Sequence, residues 1–160
     1  IRNTDQEHGQ YFYGESWKDE RYRTSLDGEW KDVHASQASE QEALALAISL
    51  TDKETALRNI DMGTAQILGS NFAAAGYESA AAMYEGFATG QDAQVAGFLN
   101  FVDAHAGMMN ALQTGDIETF VGAYNGPGNI PTYSASVRNN MGAITATPDF
   151  ETFTTFASNV

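Results

Sequence analysis

Cysteine is absent from this chain. That removes disulfide staples, zinc thiolate sites and cysteine nucleophiles, and it leaves the redox compartment undetermined. Basic residues are scarce: 8 Lys and Arg stand against 21 Asp and Glu, a formal charge of −13. A nucleic-acid binder needs basic surface to displace counterions, so the balance argues strongly against that class. No apolar run approaches the length of a membrane span. Ile1 is not an initiator Met and no signal-peptide pattern follows it. The expectation is a chain that begins inside a longer or processed product.

Several chemical signatures are missing too. His8, His34 and His105 show no metal-ligand spacing, and no calcium-loop pattern of alternating acids is present, so no metal is expected. No nucleophile elbow occurs. Gly126 and Gly128 do not follow a strand and open a helix as a phosphate loop would. Lys18-Asp19-Glu20-Arg21 reads as a solvated mixed-charge face. There is no internal repeat and no low-complexity tract.

What remains is a globular chain. Its 160 residues suit one domain with a real core, and 42% of them are hydrophobic. The opening stretch through Trp30 is polar and aromatic without helical period, which predicts extended pieces, turns and a small β-hairpin. Helices are then expected in succession. Ser39 with Glu42 forms a capping box for one running through Leu50, and Thr51 with Glu54 forms another, to about Asn59. Residues 63–70 read as a short, nearly all-buried helix, and the Ala-rich stretch 79–87 as another. Over 91–105, Val95, Phe98, Leu99 and Val102 fall at i, i+3, i+4 and i+7, predicting a core helix with His105 favouring the dipole near its end. Helices over 108–112 and 116–124 are separated by a stop at Thr114-Gly115. Pro131 then occupies the first turn of a last helix to about Met141. The fold class is mainly α with a small irregular or β element near the N-terminus.

The most informative segment is Phe120-Val121-Gly122-Ala123-Tyr124-Asn125-Gly126-Pro127-Gly128. Ile117, Phe120, Val121 and Tyr124 make one apolar helical stripe, and the Gly/Pro run stops the helix just past it. The Tyr124 ring is therefore expected partly in the core, with the Asn125 amide emerging at a fixed place. An aromatic face beside an amide is suited to holding a sugar; an ordinary helix C-cap is the plainer reading.

Three blocks of sequence carry a family resemblance. The first is Ala56-Leu57-Arg58-Asn59-Ile60-Asp61-Met62-Gly63-Thr64-Ala65-Gln66-Ile67-Leu68-Gly69, with Asn71-Phe72 and Ala75-Gly76-Tyr77 after it. The second is Asp92-Ala93-Gln94 leading into Phe98, Leu99 and Phe101. The third is Ala111-Leu112, Asp116, Phe120 and the turn from Tyr124 to Gly128, with Tyr133 following. In this order and spacing, residues 54–133 resemble the second half of a phage-type N-acetylmuramidase domain, a peptidoglycan hydrolase of lysozyme-like fold. The resemblance implies a lysozyme-like domain over residues 1–144, with its first helix lying mostly before Ile1, and a separate tail over 145–160. No cofactor is implied.

Glycosidic cleavage needs a carboxylic acid that stays protonated near neutral pH, and a second carboxylate can act as base or nucleophile. In the resembled family a Glu in an E-S-x-G-x-G-F segment supplies the acid, ahead of an L-F-E-x-H-x-F block. This chain departs from both. Glu7-His8-Gly9 with Phe12 is a shortened echo of the first segment. Tyr11-Phe12-Tyr13-Gly14-Glu15-Ser16-Trp17 matches the second, with Tyr13 in place of Glu and Glu15 in place of His. Glu7 and Glu15 are thus the candidate acids, beside two alternatives: that both are solvated loop residues, or that the acid lies upstream of Ile1.

Asp61 takes the place of a small polar residue next to a family Trp, itself replaced by Met62. It would position water as a base, or cap a helix beginning at Met62. Gln66, an amide in an apolar setting, needs partners that a sugar or a backbone group could supply. With Tyr124 and Asn125 it completes the expected glycan grip.

The resemblance implies hydrolysis of the β-1,4 bond between N-acetylmuramic acid and N-acetylglucosamine, with lytic transglycosylase chemistry as a near relative. The expected partners are peptidoglycan strands and other virion proteins. The expected setting is a phage particle, or release onto the bacterial wall. The alternative is a non-catalytic glycan-binding or structural virion module that kept the cleft and lost the acid.

Overall fold

The computed structural model describes residues 10–15 and 18–145. The described chain is mainly helical with a small antiparallel element near its start, as the sequence predicts. It divides into two compact units between Phe101 and Val102. The expected tail beyond Thr145 lies outside the described residues.

In the first unit, β1 (Phe12–Glu15), β2 (Lys18–Tyr22) and β3 (Lys31–Asp32) form an antiparallel sheet in that order. Phe12 pairs with Tyr22 and Tyr22 with Lys31, while Tyr13 pairs with Arg21 and Arg21 with Asp32. Side chains alternate across a strand, so these two sets lie on opposite faces. The first set faces inward: Tyr22 is fully buried, and its hydroxyl donates to Glu42 Oε2 at 2.5 Å on helix α1 (Gln37–Leu50). Lys31 Nζ donates to both Glu42 oxygens at 2.9 Å.

Helix starts follow short polar side chains, though not always the ones expected. Ser36, rather than Ser39, caps α1, which frees Glu42 to bond the sheet. Asp52, rather than Thr51, caps α2 (Lys53–Arg58). Glu54 instead accepts from Ala80 N at 3.1 Å and Ala81 N at 3.0 Å, filling orphan donors at the start of α3 (Ala80–Phe87). Ala43 and Ala47 of α1, Ala56 and Leu57 of α2, and Met83 and Phe87 of α3 are all buried.

Residues 63–70 are not a helix. β4 (Asp61–Met62) and β5 (Ile67–Leu68) pair antiparallel, Asp61 with Leu68 and Met62 with Ile67. The turn between them holds Gly63 at φ 68° and Gln66 at φ 54°, left-handed conformations that no α-helix contains. Burial alternates as a strand requires, with Met62 and Ile67 inside and Leu68 exposed. A 3₁₀ turn, Gly69–Asn71, follows, and Gly69 N donates to Ile60 O at 2.8 Å.

The unit boundary falls within α4 (Gln91–Asp103). Its expected core stripe is only partly right, since Val95 and Leu99 are each 56% exposed while Phe101 and Val102 are buried. His105 does not end this helix; it occupies the N-cap position of α5 (Ala106–Thr114).

In the second unit, α5 stops at Gly115, in the left-handed region, as expected. Asp116 then caps α6 (Ile117–Asn125), accepting from Thr119 N at 3.1 Å. Helix α6 packs against both α5 and α7 (Ile130–Thr145). Met108, Ala111, Ile117, Val121 and Ser134 are buried in this unit. Pro131 stands in the first turn of α7, where its missing N–H costs nothing.

Candidate functional site

The hairpin β4–β5 brings two of the predicted site residues together. Asp61 lies on β4 and Gln66 closes the turn into β5. Gln94 of α4 anchors this turn from outside. Its Oε1 accepts from Thr64 N and Thr64 Oγ1, both at 2.8 Å, and its Nε2 donates to Phe87 O at 3.0 Å. The sequence marks Gln94 only as part of a resembling block; nothing in its local pattern indicates a partner some thirty residues away.

Asp61 as a residue is exposed, yet its carboxylate is partly shielded by surrounding atoms. That shielding raises its pKa, and the negative charge of Glu20 raises it further. Both effects are screened by the remaining solvent access. Asp61 does not cap a helix, because the segment beginning at Met62 is a strand. Met62 itself is buried, so it lines the core and not a cleft wall.

Glu20 belongs to the Lys18–Arg21 charge run, expected as a solvated face. Strand alternation splits that run, placing Glu20 on the opposite face of β2 from Asp19 and Arg21. There Glu20 Oε2 lies 3.2 Å from His34 Nε2, and His34 Nδ1 lies 2.9 Å from Glu40 Oε1. The hydrogen bond to Glu40 chiefly holds the His34 pKa above its ordinary value, with that to Glu20 adding to it. A carboxylate–imidazole–carboxylate chain therefore runs up to the charge that acts on Asp61. The sequence reading missed Glu20 and His34 because each is ordinary in its own segment.

Gln66 is not a buried amide. It is exposed, and its Nε2 donates to Gly63 O at 2.9 Å, the internal backbone partner that was one of its two expected options. Glu7 lies outside the described residues. Glu15 ends β1 with its backbone paired to Lys18, and its side chain is likewise outside the description.

At the end of α6, Tyr124 is half-buried and Asn125 exposed, as expected. The Tyr124 ring stacks on Phe120, with centroids 5.7 Å apart and planes 21° from parallel. Asn125 is the last helical residue and Gly126, at φ 82°, ends the helix. Ile117 and Val121 carry the buried side of the stripe. Among the described residues, no group of three or more His, Asp or Glu is arranged to hold a metal ion. Nor is any helix among them long and apolar enough to cross a membrane.

The N-acetylmuramidase family model matches residues 3–144, and the chain belongs to that family. Membership implies a glycosidase whose substrate is peptidoglycan. No curated protein matches the chain.

Proposed function

We propose that this N-acetylmuramidase hydrolyses the β-1,4 bond between N-acetylmuramic acid and N-acetylglucosamine, with Glu7 or Glu15 as general acid and Asp61 as base. The observation that carries the assignment of Asp61 is its place on a solvent-accessible hairpin, where partial shielding, and then the negative charge of Glu20, raise its pKa. A carboxylate so placed is a stronger base than an ordinary aspartate. The acid gives its proton to the glycosidic oxygen as the bond to the anomeric carbon breaks. Water adds to that carbon and loses a proton to Asp61. In this reading Gln66 contacts glycan through its amide, and Tyr124 and Asn125, considered separately, do so through the stacked ring face and a hydrogen-bonding amide.

The acidic composition and the family resemblance support action as a phage-particle component released onto the bacterial wall, with other virion proteins as partners. A charge of −13 gives no electrostatic steering toward an anionic envelope, so delivery by an assembly would replace it.

The test is release of sugar ends from purified peptidoglycan, with products identified by mass spectrometry. Removing a general acid costs about 10²–10⁴-fold. Glu7→Gln or Glu15→Gln should lose that much, and the other should not. Reducing ends mark hydrolysis, and anhydro-muramyl ends mark transglycosylation. Activity in both variants together, or only in an N-terminally extended chain, would move the acid elsewhere. Retained glycan binding with no cleavage would support the non-catalytic module, a reading favoured by Met62 standing in the core where the family places Trp.

A further inference from the structure

The outward face of the three-stranded sheet carries exposed aromatic side chains beside an arginine. Tyr13 of β1 and Arg21 of β2 are direct cross-strand neighbours, and Trp30 precedes β3 on the same side. Tyr13 is 65% exposed and Trp30 38% exposed. Their rings lie 5.9 Å apart at 54°, an angled aromatic wall rather than two scattered side chains. Arg23 holds the wall in place: its guanidinium lies 4.6 Å over the Trp30 ring, and its Nε donates to Gln10 O at 2.8 Å.

Tyr13, Asp19, Arg21 and Trp30 line an open concavity of about 440 Å³. That is within the range of roughly 300–1,000 Å³ typical of small-molecule sites. The sheet is irregular at this point. The register shifts between Tyr13 and Glu15, Gly14 takes φ 133°, and Asp19 opposite takes φ 58°. Asp19, on the same face of β2 as Arg21, lines the concavity at this irregularity.

Charge bears on the ligand as well. The stretch from Phe12 to Asp32 carries four cations, Lys18, Arg21, Arg23 and Lys31, among six acids, so it is acidic by 2 overall and the cation that matters is the one on this face. Arg23 is committed to Trp30 and Lys31 to Glu42, whereas Arg21 lines the concavity. A ligand that fits must offer an apolar ring face to the aromatics, a carboxylate to the guanidinium, and a hydroxyl or amide donor to Asp19.

We infer that this face is a glycan site, one that takes the muramyl residue with its peptide stem, the saccharide of the wall that carries carboxylates. The inference rests on peptidoglycan being the substrate and extends it to a preference. Acidic, stem-bearing strands bind here in preference to uncharged strands of N-acetylglucosamine.

The experiment compares a purified disaccharide-tetrapeptide from peptidoglycan with chitotetraose, by calorimetry on the full chain carrying Glu7→Gln and Glu15→Gln to suppress turnover. The parent should favour the muropeptide by about tenfold. Arg21→Gln should abolish that preference and leave chitotetraose binding unchanged, while Tyr13→Ala should weaken both about tenfold. Independently of any substitution in the concavity, the Trp30 indole N–H resonance, assigned against Trp17→Phe, should shift on titration with muropeptide.

Equal affinity for the two ligands, an unmoved indole resonance, or wild-type binding in both variants would overturn the inference. Cleavage of sacculi would still stand in any of those cases. Conversely, the predicted binding pattern in a chain that releases no sugar ends would keep this site and sink the hydrolytic reading.

Discussion

The hydroxyl of buried Tyr22 donates to Glu42 Oε2 at 2.5 Å, joining the inner face of the sheet to helix α1. Lys31 closes the group, its ammonium bonded to the same carboxylate and 5.6 Å from the Tyr22 ring centroid. The Tyr22 hydrogen bond, followed by that of Lys31, holds the Glu42 pKa below its ordinary value, and the same contact raises the Tyr22 phenol. A carboxylate depressed in the folded state contributes stability that is present above its unfolded pKa and lost as pH falls through the folded one. Tyr22→Phe should lower the melting temperature near neutral pH and flatten its fall between about pH 5 and pH 3. Thermal unfolding of parent and variant across that window checks it, and an unchanged acid slope would contradict the role given to this bond.

Gly69 and Gly107 should respond to alanine in opposite directions. A Cβ at Gly69 would stand 1.9 Å from Leu57 O, a backbone atom that cannot swing aside, where the chain leaves β5 over the end of α2. Gly69→Ala should cost ~3 kcal/mol or more. At Gly107, in the first turn of α5, an added Cβ meets nothing within 4 Å. Gly107→Ala should stabilise by ~0.5–1 kcal/mol through the entropy of the unfolded chain. Urea denaturation of the two variants gives both signs in one experiment.

Why some features were legible and others were not follows from range. The stripe of α6 was readable because Ile117 and Val121 answer to local period, and the stop at Gly115 because one residue's conformation decides it. On α4 the same rule pointed to Val95 and Leu99, which are exposed. The buried side there includes Gly97, where a Cβ would come within 2.6 Å of the Phe87 ring. Hydropathy scores a glycine as no core residue at all, so a helix that buries one for close approach hides its true face.

The hairpin of Asp61 and Leu68 is hidden from local pattern for a related reason: a short apolar run looks alike as helix and as buried strand. Only the left-handed turn at Gly63 and Gln66 separates them, and Gln is not a residue that announces one. The link from Glu20 through His34 to Glu40 joins separate segments, and no window along the chain contains it with Asp61.

His34 supplies a pH dependence of opposite sense to that of Glu42. Its bonds to Glu40 and then Glu20 raise its pKa from the ordinary 6.5. A raised histidine contributes stability that is complete below the unfolded pKa and is lost as pH rises through the folded value. Melting temperature should therefore fall slightly as pH climbs above about 6.5, and His34→Gln should remove that slope. The effect is small because the imidazole is 62% exposed and solvent screens the pair. An unaltered slope in the variant would assign it to other groups.

The sharpest test of the chemistry concerns Asp61 and the charge beside it. Shielding and Glu20 both raise the Asp61 pKa, so as a base it becomes competent at higher pH than an ordinary aspartate would. The acidic limb of the kcat/KM profile should report that titration. Glu20→Gln removes one of the two causes and leaves the shielding, so the limb should move toward lower pH with the plateau rate little changed. Asp61→Asn should instead lower the plateau, by ~10²-fold or more if it takes the proton of water. A merely structural Glu20 would change stability without moving the limb. A limb that stays in place in Glu20→Gln while Asp61→Asn remains fully active would remove the base from Asp61 and leave the hairpin a scaffold.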